Sequence, residues 1–233
     1  MKINGYEKFS MVDFEGKIAC TVFTGGCNLR CPFCHNGSLV IGDVKANQID
    51  DGEVMEYLEK RRGLVDAVSV TGGEATLQPD LADFLRRVRA LGYITKLDTN
   101  GLRPDVLKNL LDEGLVDYVA MDIKNSPEKY AFTTGLKSVD LDKINESMRI
   151  IKESGVNHEY RTTIIKEFHT AEDMERIAQW VSGANAYYMQ KYSDSVYPTA
   201  ITKSKKRRRR NLPSYLKIKQ LRLAYAVIIK PRY

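Results

Sequence analysis

At 233 residues, with 43% hydrophobic and 28% charged side chains, the chain is long enough for one sizeable buried core and has the balance of a globular protein, which excludes the disordered, collagen-like and membrane-spanning classes. No run of about 18 apolar residues occurs, and the polar first ten residues lack the apolar stretch of an export signal, so a cytoplasmic setting is expected. The formal charge of +6 belongs to the end of the chain: residues 203–233 hold 12 Lys and Arg and no acidic residue, leaving 24 basic against 30 acidic side chains before them, so neither nucleic acid nor a membrane is expected as a partner of the body.

In chain order, residues 18–24 form a short β-rich run that ends at Gly25-Gly26. The spacing of Val54 and Leu58 predicts a helix over 51–61, with Gly63 as its stop, and 65–70 reads as a second strand. The alternation then repeats: helix 80–91, strand 94–97, helix 104–113, strand 118–122, helix 141–154, strand 157–164, helix 171–182 and strand 186–189. About six strand–helix units predict an α/β fold with a parallel sheet, either doubly wound or an open, partial barrel. In both, function sits at the C-terminal ends of the strands. The polar, glycine-bearing segments fall there: the Cys loop after the first strand, Thr71-Gly72-Gly73-Glu74 after the second, Asp98-Thr99-Asn100-Gly101 after the third and Asp122-Ile123-Lys124 after the fourth.

The four cysteines, Cys20, Cys27, Cys31 and Cys34, lie within 15 residues. Such crowding argues against a disulfide framework and for a local metal or cofactor site. Cys27, Cys31 and Cys34 place three thiolates at i, i+4 and i+7; on an iron-sulfur cubane they would leave one iron open for a ligand. Cys31-Pro32-Phe33-Cys34-His35 also reads as a c-type haem attachment signature, and the cysteines with His35 or Cys20 as a structural zinc site. Haem attachment conflicts with the missing export signal, and zinc leaves the glycine and acidic motifs unexplained. Cys20, inside an apolar strand, reads as a small buried hydrophobe.

The C-x3-C-x2-C run followed by Gly-Gly-Glu resembles the radical S-adenosylmethionine (SAM) superfamily. Residues 18–36, 71–81, 96–101 (KLDTNG), 117–124 (DYVAMDIK) and 159–163 (EYRTT) are similar to the activating proteins of anaerobic ribonucleotide reductase and, more distantly, to pyruvate formate-lyase activase. The resemblance spans about residues 1–193. It implies a partial (β/α)6 barrel, a 4Fe-4S cluster on Cys27, Cys31 and Cys34, and Phe33 near the adenine of SAM. Gly72, Gly73 and Glu74 would meet the amino end of SAM, where glycines let the backbone approach and a carboxylate complements an ammonium. Lys124 and Arg161 would face the SAM carboxylate, while Asp98, Thr99, Asn100 and Asp122 resemble a polar or monovalent-cation site beside it. Reductive cleavage of SAM to methionine and a 5′-deoxyadenosyl radical is the implied chemistry. The implied partners are a glycyl-radical enzyme of the anaerobic ribonucleotide reductase type and an electron donor such as flavodoxin or ferredoxin. Plainer readings stand beside these: turn chemistry for Asp98 and Asn100, and a surface ion pair for Arg161. A different radical SAM reaction on a peptide or small molecule, or a non-catalytic electron-transfer or metal-binding module, is the alternative function.

Two departures from that pattern occur. Ala75 stands where the family's second loop carries proline, which loosens the turn without removing a ligand. From Ser193 or Asp194 the pattern changes abruptly to a basic run, Lys203 to Arg210. It reads either as a tail for an anionic partner or, preferably, as a frameshifted C-terminus. The expected organisation is therefore a catalytic domain over 1–193 and a tail over 194–233.

Overall fold

The computed structural model describes residues 1–41 and 48–192 and the backbone of Ile229–Arg232. The rest of the basic tail, with the tail and frameshift readings placed on it, lies outside the described residues. The chain divides into two compact units: Met1–Asn28, Asn36–Ala120 and Asp142–Asn157 form the first, and Leu29–His35, Met121–Leu141 and the chain from His158 onward form the second.

The first unit is built on strands β1 (Lys2–Ser10), β2 (Ala19–Thr24), β3 (Ile49–Asp50), β4 (Ala67–Gly72) and β5 (Ile94–Thr99). β2, β4 and β5 are parallel, in a register that pairs Ala19 with Ala67 and Thr24 with Gly72, and Ala67 with Ile94 and Val70 with Leu97. This register brings Thr24, Gly72 and Thr99 to the same end. Ala19, Cys20, Thr21 and Val22, and Ala67, Val68, Ser69 and Val70, are buried without alternation, as expected of parallel strands covered on both faces. β1 pairs antiparallel with β2 and with β3. Neither β1 nor β3 is predicted from the sequence, since β1 reads Lys-Ile-Asn-Gly-Tyr-Glu-Lys-Phe-Ser and buries only Ile3 and Ser10.

The helices of this unit follow their apolar spacing. α1 (Gly37–Ile41) is a short turn after the Cys loop, and α2 (Asp51–Lys60) buries Val54 and Leu58 and is capped by the Asp50 carboxylate on Gly52 N–H. α3 (Leu81–Ala90) buries Leu81, Phe84, Leu85 and Val88, an i, i+3, i+4, i+7 stripe. α4 (Pro104–Asp112) opens on proline and buries Leu107, Leu110 and Leu111. Burying each of these large side chains contributes on the order of 1.5–3 kcal/mol. Strand β6 (Tyr118–Asp122) spans the division between the units.

In the second unit, β7 (Asn157–Ile164) and β8 (Ala186–Lys191) are parallel, and β9 (Ile229–Arg232) runs parallel beside β8. α5 (Tyr130–Thr134) ends on Gly135, whose φ of 71° a side chain would resist. α6 (Leu141–Ser154) leads back into the first unit, where it buries Ile144, Met148 and Ile151. α7 (Ala171–Trp180) starts with a reciprocal capping box between Thr170 and Asp173. Asp173 also accepts from Lys129 Nζ at 2.5 Å and from Ser126 Oγ at 3.2 Å. Burial works against its charge, but Lys129 and Thr170 hold its pKa down at about 2. A depressed carboxyl stabilises the fold above its unfolded value and loses that contribution as pH falls through the folded one. Asp173→Asn is therefore expected to cost about 1–2 kcal/mol at pH 7, with the difference from wild type vanishing by about pH 2 in chemical-denaturation curves.

Among the described residues, no helix is long and apolar enough to cross a membrane. The α/β class with parallel strands and crossover helices is as the sequence predicts.

Candidate functional site

In the first unit, the Gly-Gly-Glu loop is laid backbone to backbone on the loop that leads to Cys27. Gly73 N–H donates to the Thr24 carbonyl and Glu74 N–H to the Gly26 carbonyl, both at 2.8 Å. Asn36 Nδ2 donates to the Gly72 carbonyl at 3.0 Å, and Gln78 Nε2 to the Gly25 carbonyl at 2.9 Å. The glycines are required by this approach: a Cβ on Gly72, at φ +114°, would lie 2.4 Å from Thr24 backbone atoms, and one on Gly73 would lie 1.9 Å from the Gly26 oxygen. Gly73→Ala must push the two loops apart; we expect a loss of about 2–4 kcal/mol, read as a lowered Tm, whereas an alanine at Gly5, with open space around it, costs little.

The Glu74 carboxylate is turned inward and is 1% exposed. Its Oε1 accepts from Thr76 N–H (3.2 Å), Thr76 Oγ1 (2.5 Å) and Thr99 Oγ1 (2.7 Å), and its Oε2 from Asn100 N–H (2.7 Å). It fastens the loop after β4 to the loop after β5. Burial pushes its pKa up, against the hydrogen bonds of Thr76, Asn100 and Thr99. Asn100 combines two roles. Its Oδ1 accepts from Leu102 N–H at 3.1 Å, the turn chemistry expected of Asn-Gly, while its Nδ2 donates to Asn28 Oδ1 at 2.7 Å and lies 3.8 Å from Cys27 Sγ. Ser147 Oγ on α6 donates to the Gly101 carbonyl at 2.6 Å and fixes the end of the same loop. Asp98 accepts from Thr71 Oγ1 at 3.1 Å and faces Lys96 Nζ at 3.4 Å.

The second unit holds Cys31, Phe33 and Cys34. Cys34 N–H donates to the Cys31 carbonyl at 3.1 Å, and Arg30 N–H is anchored on the Thr134 carbonyl at 2.9 Å. Gly135 lets that anchor form, since a Cβ there would lie 2.3 Å from the Arg30 oxygen. Phe33 is buried, its ring tilted against Phe168 with centroids 5.6 Å apart, and His35 stacks on Tyr192 at 5.2 Å and 7°. Asp122, at the end of β6, receives Lys124 Nζ at 2.8 Å and Arg161 Nε at 2.9 Å. Burial opposes the charge on Asp122, yet Arg161 and Lys124 hold its carboxyl well below the usual range. Burial likewise opposes the Lys124 ammonium, yet Asp122 and the Cys31 thiolate hold its pKa well above that of an ordinary lysine. Arg161 is 8% exposed, so the surface ion pair expected as its plainer reading is instead a buried one. Lys124 and Arg161 both stand on Asp122, and Glu159 Oε1 lies 3.9 Å from Arg161 Nη1, so the two cations face two carboxylates here.

Sequence reasoning misses Thr76, Asn36, Ser147 and His169. His169 Nε2 lies 2.9 Å from the Lys124 carbonyl, and its Nδ1 is 3.2 Å from Ile165 N–H, which with Nε2 protonated makes the ring a brace under Lys124. Asn36 and Thr76 lie inside the segments 18–36 and 71–81 but carry no signal of their own there, while Ser147 and His169 fall outside every motif; only the fold brings the four to the loops they hold.

The four cysteines are free, Cys20 fully buried and the other three partly exposed. Among the described residues, no three His, Cys, Asp or Glu side chains are gathered tightly enough for a single metal ion. A 4Fe-4S cluster does not require that arrangement, because each thiolate bonds a different iron. Cys27, Cys31 and Cys34 are free and partly exposed thiols, as ligands of such a cluster must be.

A parallel α/β fold whose strand-end loops carry cysteines, paired glycines and a cation pair defines the class: the model of the Radical SAM superfamily matches residues 21–181, and the chain belongs to that superfamily, whose enzymes bind SAM and a 4Fe-4S cluster. Within it, the chain is 30% identical over 194 residues, 82% of its own length and 79% of the relative's, to a protein of Methanocaldococcus jannaschii named as a candidate glycyl-radical enzyme activating enzyme. It is 27% identical to the pyruvate formate-lyase-activating enzyme of Clostridium pasteurianum, covering 93% of this chain and 97% of that one. Streptococcus suis SuiB bound to S-adenosylmethionine shares the fold at a TM-score of 0.65 and 17% identity; the match covers 90% of this chain and 49% of the SuiB chain, so this chain spans about half its length.

Proposed function

We propose that this chain is a glycyl-radical enzyme activating enzyme acting in the cytoplasm, with residues 1–193 as its catalytic domain and 194–233 as a basic tail. The observation that carries the reading is the 30% identity to the M. jannaschii protein over 194 residues, 82% of this chain and 79% of that one. Cys27, Cys31 and Cys34 are the proposed cluster ligands, and Phe33 the wall against the adenine. Together, the cluster and SAM supply reductive cleavage of SAM to methionine and a 5′-deoxyadenosyl radical. Gly72 and Gly73 offer close backbone approach to the SAM amino end, with Glu74 locking that loop to Thr99 and Asn100. Lys124 and Arg161 would take the SAM carboxylate, with Asp122 holding both cations in place. Asn100 would donate toward the Cys27 thiolate. The proposed partner is a glycyl-radical enzyme of the anaerobic ribonucleotide reductase type, with flavodoxin or ferredoxin as electron donor.

The test is anaerobic: the chain is loaded with iron and sulfide, reduced with dithionite and given SAM, with 5′-deoxyadenosine read by mass spectrometry. A purified anaerobic ribonucleotide reductase is then added and its EPR spectrum recorded. Deoxyadenosine plus a glycyl-radical signal supports the full reading. Deoxyadenosine without that signal removes the proposed partner, and a loaded cluster that leaves SAM intact overturns the chemistry.

A further inference from the structure

Lys96 is a basic side chain at a position 1% exposed. It precedes Asp98 by two residues on β5, so both side chains stand on the same face of the strand. Its Nζ lies 3.4 Å from Asp98 Oδ1 and donates to the Asp13 carbonyl, and the rings of Phe14 and Tyr118 lie over it, each with its centroid at 5.8 Å. Phe14 is itself packed in a buried cluster with Ala19 and Ala67, flanked by Tyr118, so this surround is fixed by the core. A carboxylate oxygen, a carbonyl oxygen and two aromatic faces around one compact positive charge are the surroundings that stabilise a small monovalent cation.

The residues expected to bind such a cation do not fit a soluble one. A sodium or potassium ion at Asp98 Oδ1 would have to share that oxygen with the ammonium, and like charges that close in a buried site are strongly unfavourable. The Thr99 hydroxyl donates to Glu74 and accepts from Gly101 N–H at 3.1 Å, so it points its proton away from Asp98's neighbourhood and toward another carboxylate. In the second unit, Asp122 is already held by Lys124 and Arg161.

We propose that Lys96 is a built-in counter-ion that takes the place of a monovalent metal cation beside Asp98, making it a positioning residue for the loop of Asp98, Thr99 and Asn100. The assignment rests on the functional reading above only for its SAM readout. Because the charge is covalently attached, the loop is set without any ion from solution, and Asp98 in turn holds Thr71 at the entry to the Gly-Gly-Glu loop.

The full chain, as wild type and as Lys96→Met, is compared in potassium, sodium, ammonium and choline chloride at one ionic strength, reading thermal unfolding and SAM binding by equilibrium dialysis. Wild type is expected to keep its Tm, and its SAM affinity within about twofold, in all four salts, choline being too large to enter the site. Lys96→Met should lose about tenfold in SAM affinity in choline, the size of one charge-assisted contact, and recover most of it and its Tm in ammonium or potassium. A purely structural lysine would give a variant that no small cation restores, and that result overturns the proposal. So does a wild type whose Tm or SAM affinity collapses in choline, a measurement that decides the matter even where the variant does not fold. If neither form binds SAM in any salt, the functional reading fails, while the salt dependence of unfolding still tests Lys96.

Discussion

Cys31→Ala is expected to reduce iron and sulfide loading of the chain to background and to abolish SAM cleavage, while Cys20→Ala loads and cleaves as wild type does. The two thiols occupy opposite environments. Cys20 lies inside β2 with none of its surface exposed, and burial, with Glu7 adding to it, pushes its pKa up to about 12, so it does not form the thiolate that iron requires. Its loss should appear only as a stability change of about 1–2 kcal/mol from the small cavity. Cys31 sits on the loop and is partly exposed, the setting in which a thiol stays accessible to iron. Cys27→Ala and Cys34→Ala should behave as Cys31→Ala does. Iron and sulfide assays, the visible absorption of the loaded protein and deoxyadenosine yield check this together. A Cys31 variant that loads a normal cluster would remove the proposed ligand set.

The second large effect is expected at Glu74. Glu74→Ala deletes the acceptor of four hydrogen bonds in a closed site and leaves the donors of Thr76, Thr99 and Asn100 without it, a loss of about 3–5 kcal/mol. Glu74→Gln keeps the shape and one acceptor oxygen but turns an NH2 group toward donors, so it should cost less, about 1–3 kcal/mol. The pH dependence has a definite sign. Burial raises the folded pKa of Glu74, so the folded state binds its proton more tightly than the unfolded one. Wild type is therefore most favoured over Glu74→Gln below the unfolded value near 4.5, and the advantage shrinks as pH rises through the folded pKa. Denaturation curves of both proteins between pH 4 and 8 measure it. An advantage that instead grows with pH would mean that the four donors outweigh burial and hold the group as a carboxylate.

Much of this site is legible in the sequence because its chemistry is written in contiguous runs. The cysteine spacing, the paired glycines before Glu74 and the Asp-Thr-Asn-Gly and Asp-Ile-Lys strand ends each fall within a few residues, and the strand–helix alternation sets them all at C-terminal strand ends. Helix α6 and strands β6 and β7 stand where apolar periodicity predicts them, and most other boundaries differ by one or two residues. β1 escapes because most of its side chains stay at least partly exposed, so it shows no alternation for a period-2 reading to find.

The direction of a side chain is another matter. From the sequence, Glu74 reads as a carboxylate offered to an ammonium; in the fold it faces Thr76, Thr99 and Asn100. Lys96 reads as one charged residue in a strand, yet the core closes around it and gives it Asp98, Asp13 and two aromatic rings. The α/β class, the strand–helix alternation and the placing of the glycine-bearing loops at C-terminal strand ends follow from local chemistry and short-range pattern, and the sequence by itself determines them for this protein. Which carboxylate is spent on the protein's own donors, and which cation balances it, depends on burial and on partners distant in the chain, such as Thr99 for Glu74 and Asp13 for Lys96, and only the tertiary structure decides it.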